Sequence, residues 1–185
     1  MGPVCSILLE QPLSDRQIAE LDGYLMHIGT DVNRSDGKQS WDFYPMIEII
    51  IPGSAPDNLC TFSLSTWAGL IDDWGAEEQP EEAILQQLEQ AIGFRPHGHI
   101  MFYSGCNGQQ YHLLLGYIAI ALLEKFGGYI NFCGDVMKRK QDLIYEGQLL
   151  DIWYETTPGN QYYYQIADLQ FLKAFIKQDN FRMIK

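Results

Sequence analysis

The sequence predicts a single α+β domain over residues 1–185, with a mostly antiparallel or mixed sheet, one buried central helix and about three further helices. Three observations carry that prediction. Strand-like and helix-like segments do not alternate strictly, and two pairs of neighbouring strand segments are joined by turn signals. The stretch 113–123 is apolar except at Gly116 and Tyr117, too long for a strand and too short for the roughly 20 residues that span a bilayer.

In chain order, Val4–Leu9 reads as a strand, and Ser14-Asp15-Arg16-Gln17 as a capping box opening a helix to about His27 that buries Ile18, Leu21 and Leu25. The polar stretch 29–42 reads as a loop. Residues 43–51, almost wholly apolar, read as a central strand, and 59–66 as a half-buried one that alternates Cys60, Phe62 and Leu64 with Thr61, Ser63 and Ser65; Pro52-Gly53 supplies the turn between them. A second helix starts near Pro80, buries Ile84, Leu85, Leu88, Ala91 and Ile92, and ends at Gly93. After a strand at 99–104, Asn107 with Gln110 is expected to cap the central helix, Gln109–Phe126, which Gly127-Gly128 stops. A strand at 129–133, a hairpin of 149–156 with 162–166 around Pro158-Gly159-Asn160, a helix capped by Asp168 and running to Ile176, and a closing strand at 181–184 complete the reading.

With 46% hydrophobic and 13% aromatic residues the chain is long enough to bury a core, and disorder is excluded. It carries 12 Lys and Arg against 24 Asp and Glu, a net charge of −12 that disfavours nucleic acid and anionic membranes as partners. The charge is concentrated. Residues 39–94 hold no Lys or Arg and ten acids, Asp42, Glu48, Asp57, Asp72, Asp73, Glu77, Glu78, Glu81, Glu82 and Glu89, whereas the rest of the chain balances 12 bases with 14 acids. Helix-dipole complementation accounts for Glu81 and Glu82, and a solvated face is the plain account of the others. The absence of any interspersed base points instead to a basic protein partner, with Trp67, Asp72, Asp73, Trp74, Glu77, Glu78, Glu81 and Glu82 as the expected contacts.

Four scattered cysteines, Cys5, Cys60, Cys106 and Cys133, with no C-x-x-C pair, read as reduced, mostly buried cytoplasmic thiols. The first ten residues lack the shape of a secretory signal. Gly2 with Ser6 fits a myristoylation pattern, with Cys5 as a second lipid site, but lacks a polybasic neighbour. His97, His99, Cys106 and His112 match no recognised zinc spacing, so no metal or cofactor is expected. Cys106 before a helix N-terminus, His112 as base and Asp135 or Asp142 as orienter would make a cysteine-dependent hydrolase or transferase; an apolar helix around His112 favours a structural histidine instead. Ser104-Gly105-Cys106-Asn107-Gly108 lacks the lysine and the spacing of a P-loop, and Lys138-Arg139-Lys140 is a weak nucleic-acid signal on so acidic a chain. Tyr162-Tyr163-Tyr164 alternates across a strand, so one face should pack and the other expose aromatic surface.

The segments His112-Leu-Leu-Leu-Gly116, Phe126-Gly-Gly-Tyr-Ile-Asn-Phe-Cys-Gly134, Asp168-Leu-Gln-Phe-Leu-Lys-Ala-Phe175 and Phe181-Arg-Met-Ile-Lys185 resemble small bacterial immunity proteins encoded beside polymorphic toxins, including type VI secretion and contact-dependent effectors. The resemblance covers roughly the C-terminal half and is structural in character. It implies a cytoplasmic, non-enzymatic inhibitor that binds a cognate toxin domain and blocks its active site or substrate access. It carries over no site residue, and the acidic tract lies outside it. An acidic adaptor for some other basic protein fits the same charge pattern.

Overall fold

The computed structural model of the chain describes residues 2–35, 39–54, 59–68, 82–136, 146–157, 160–179 and 181–183, with the backbone alone at 155–157 and 160. The strands are β1 (Val4–Leu9), β2 (Gly29–Arg34), β3 (Ser40–Pro45), β4 (Phe62–Ala68), β5 (Gly98–Ser104), β6 (Tyr129–Asn131), β7 (Leu149–Thr157) and β8 (Asn160–Ala167). The helices are α1 (Asp15–Ile28), α2 (Ile47–Ile50), α3 (Glu82–Ile92), α4 (Gln109–Phe126) and α5 (Leu169–Phe175). All eight strands join one sheet in the order β2-β3-β4-β5-β1-β6-β8-β7, and every pairing is antiparallel. The fold is α+β, as the sequence predicts.

Alternation along each strand gives the sheet two different faces. The inner face carries Cys5, Ile7 and Leu9 of β1, Trp41 and Phe43 of β3, Phe62 and Leu64 of β4, Ile100 and Phe102 of β5 and Ile130 of β6, all buried against helices. α4 lies against β1, β5 and β6 and touches α2 and α5, so Leu114, Leu115, Ile118, Ala119, Leu122 and Leu123 are all buried. Each such Leu or Ile contributes about 1.5–3 kcal/mol of transfer free energy, and a helix with so few polar residues is stable only where most of its surface is covered. Gly116 lets the chain end approach: a Cβ there would come 2.7 Å from Cζ of Phe181.

The N-terminal capping box of α1 forms as expected, with Ser14 N–H donating to Gln17 Oε1 at 3.0 Å and Ser14 Oγ accepting from the Gln17 amide. Asp168 likewise accepts from the Phe171 amide at 2.8 Å to open α5. On the outer face α3 covers only the far half of the sheet, setting Leu88 and Ile92 on Leu8, Ile152 and Ile166. Its Gln87 also guards the sheet edge. The carboxamide accepts from the Trp153 amide at 3.2 Å and donates to the Trp153 carbonyl at 3.1 Å, occupying the groups of β7 that another strand would pair.

Four expectations are corrected. The supposed loop at 29–42 contains β2 and the start of β3, a hairpin whose edge strand has mostly polar, exposed side chains and a register shift between Thr30 and Asn33. The supposed strand at 43–51 ends at Pro45 and continues as the single turn α2, in which Ile47 is the one buried residue. Residues 181–183 follow no strand, although Phe181 and Met183 are buried. Asn107 does not cap α4; Gly108 takes the cap position without a side-chain bond, and Asn107 turns to His112. The Pro158-Gly159 turn, the start of the second helix at Pro80 and the basic run at 138–140 lie outside the described residues.

Candidate functional site

Of the eight expected partner contacts, Trp67 and Glu82 are described; Asp72, Asp73, Trp74, Glu77, Glu78 and Glu81 lie outside the described residues. The two bracket the acidic segment. Trp67, near the end of β4, points to the outer face opposite His99, half-buried, with its indole N–H donating to Ser65 Oγ at 3.0 Å. Glu82 opens α3 and meets Arg95 through two bonds of 2.8 Å, while Gln86 donates to it at 3.3 Å. The Arg95 guanidinium, then the Gln86 amide, holds the Glu82 carboxyl down at about 2. A depressed carboxyl contributes stability above its unfolded value and loses it as pH falls toward 2, so this pair persists through ordinary acidic conditions. Glu82 is therefore answered within the chain, fastening the start of α3 to the segment that leads into β5.

The cysteine constellation does not assemble. Cys106 is bonded to Cys60 in a disulfide with a Cα–Cα distance of 5.8 Å. This corrects the reading of all four cysteines as reduced, and the reason is register: β4 and β5 pair Phe62 with Ser104, Gly105 N–H donates to the Thr61 carbonyl at 2.9 Å, and one step further Cys60 faces Cys106. Cysteines 46 positions apart in the chain thus become neighbours just beyond the paired ends of β4 and β5. The thiol of Cys5 is buried, and burial, with Cys133 nearby, pushes its pKa well up. His112 is 2% exposed, accepts the Met183 amide on Nδ1 at 3.0 Å and has Asn107 Oδ1 3.1 Å from Nε2. Asp135 accepts instead from the Tyr163 hydroxyl, which lifts that phenol to about 12, and Asp142 lies outside the described residues. Among the described residues no group of three or more His, Cys, Asp or Glu side chains could hold a metal ion; His99 is buried in β5 and His97 exposed ahead of it.

A family model described as a family of unknown function, DUF6368, matches residues 1–185. The chain belongs to that family. No curated protein and no solved structure matches it.

Two aromatic surfaces on this DUF6368 chain were only partly visible in its sequence. At the β7–β8 hairpin, Trp153 and Tyr163 lie against each other on the inner face, their ring centroids 4.9 Å apart and their planes tilted by 41°. On the outer face Tyr162 is 49% exposed while Tyr164 is largely buried beside α3, its phenol pKa raised by that burial. The three tyrosines thus divide by distance along the strand as well as by face. The second surface joins Tyr44 of β3 and Tyr103 of β5, each 44% exposed, with Trp67 and Met101. The alternation of 40–45, with Trp41 and Phe43 inward, gives the signal for Tyr44, but only sheet register brings it into the company of Tyr103.

Proposed function

We propose that this chain is an immunity protein, which binds a basic toxin domain and blocks its active or substrate-binding site by steric and electrostatic occlusion. The observation that carries this reading is the tract 39–94, with ten acids and no base in a chain of net charge −12. One-signed surfaces of this kind raise association rates with an oppositely charged protein by about 10- to 1,000-fold, and tryptophans beside them supply desolvated anchors. Asp72, Asp73, Glu77, Glu78 and Glu81 steer the partner, and Trp67 and Trp74 anchor it. Glu82, paired with Arg95, positions the helix that follows. The engagement of Cys106 and His112 elsewhere supports a binding role over a cysteine-dependent hydrolase.

The cytoplasm is part of the proposal, as the place where such an inhibitor meets its toxin. Disulfides persist chiefly in oxidising compartments, so the Cys60–Cys106 bond weighs against that part alone. Co-expression with the toxin candidate encoded beside this gene tests the function: survival is expected with the wild-type chain. The variant carrying Asp72→Lys, Asp73→Lys, Glu77→Lys and Glu78→Lys should bind more slowly and rescue poorly. Salt-sensitive binding to a basic protein without rescue from the toxin would identify an adaptor instead.

A further inference from the structure

Among the described residues the outer face of the sheet is half covered. Toward β6, β8 and β7 it carries α3, whereas among the described residues no helix packs on the outer side of β3, β4 and β5. The register arranges this open half in rows. Asp42, Ser63 and Tyr103 lie side by side, as do Ser40, Ser65 and Met101, and Trp67 lies beside His99, which is buried. The contrast with the inner side of the same strands is sharp: Phe43, Phe62, Leu64 and Phe102 are at most 2% exposed there, while Tyr44 and Tyr103 are each 44% exposed on the outside.

The composition of this surface is that of an interface. Tyrosine, tryptophan and methionine are enriched where proteins meet: the aromatic side chains cover a large area at low conformational cost, methionine moulds itself to a partner, and small hydroxyl side chains adapt their hydrogen bonds. Its charge selects the partner's sign. β3 and β4 lie wholly inside the base-free tract, β5 carries no Lys or Arg, and Asp42 on this face is the one acidic side chain of the three strands. A basic surface laid on these three strands meets no Lys or Arg of theirs, whereas an acidic one faces Asp42.

We infer that the open outer face of β3, β4 and β5 is the docking surface for a basic protein domain, with Tyr44, Trp67, Met101 and Tyr103 as its anchors and Asp42 as a charge contact. The partner is the toxin domain of the immunity reading, on which this inference rests. Hydroxyl-radical footprinting of the chain, alone and with the purified toxin domain encoded beside its gene, reads the surface directly. Oxidation of Tyr44, Met101 and Tyr103 is expected to fall in the complex while that of Trp153 and Tyr162 stays unchanged. A complex that leaves the first three as reactive as before overturns the docking surface and leaves the immunity reading standing; absence of any complex overturns both. The paired variant Tyr44→Lys with Tyr103→Lys, checked by circular dichroism for an intact fold, should bind the same domain at least about thirty-fold more weakly. Unchanged affinity overturns the assignment.

Discussion

His112 shows how one side chain can look catalytic in a sequence and be structural in the fold. The Met183 amide can only donate, so Nδ1 is the acceptor and the ring proton sits on Nε2, directed to Asn107 Oδ1. One imidazole thereby joins the middle of the molecule to a chain end 71 positions away. Its place in an apolar helix made the structural role legible, but the identity of its partners was not, since Asn107 carries the ordinary signature of a helix cap and Met183 carries none. Replacing His112 with Leu keeps the volume and leaves a buried amide without its acceptor, which costs about 1–3 kcal/mol. The expected result is a lower urea midpoint with an unchanged slope; an unchanged midpoint would show that the Met183 amide finds another acceptor at no cost.

Among the elements, Gln87 does the work of an extra strand. A carboxamide that both donates to and accepts from the Trp153 backbone satisfies that residue's outward-facing groups on edge strand β7, whose neighbourhood also exposes Trp153 by 45% and Tyr162 by 49%. Gln87→Ala uncovers that edge, and an uncovered aromatic edge recruits a second strand. Sedimentation velocity should show concentration-dependent association in the variant beyond that of the wild type, together with a stability loss of about 1 kcal/mol. The same scale explains what the sequence reveals. α1 and α5 are legible because their caps are local, α4 because a long apolar run ends at Gly127-Gly128, and the four residues of α2 are not because one turn has no period to count. β2 reads as a loop because an edge strand with polar side chains on both sides lacks alternation. The acidic tract is legible as charge alone, whereas the open outer face needs 40–45, 62–68 and 98–104 brought into register, information that no single stretch contains.

For the whole molecule, the Cys60–Cys106 bond closes a loop around its most one-sidedly charged part. Residues 60–106 contain seven of the ten acids of the tract, Asp72, Asp73, Glu77, Glu78, Glu81, Glu82 and Glu89, and one base, Arg95. Two terms follow from closing that loop. Chain entropy for a separation of 46 gives about 4 kcal/mol of stabilisation, through the conformations denied to the unfolded chain. Electrostatics adds to it at low salt, because an open unfolded loop can swell to separate its acids and a closed one cannot. Reduction, or the pair Cys60→Ala with Cys106→Ala, should therefore lower the melting temperature by about 10 °C, with a larger fall at about 10 mM salt than at about 500 mM, where the Debye length shrinks below the spacing of most of these charges. Thermal melts of both forms at the two salt concentrations separate the contributions: the high-salt difference reports chain entropy, and the excess at low salt reports repulsion within the loop. Equal melting temperatures for the oxidised and reduced chains at both salts would mean that strand pairing between β4 and β5 already holds the two ends together in the unfolded ensemble, leaving the bond nothing to constrain.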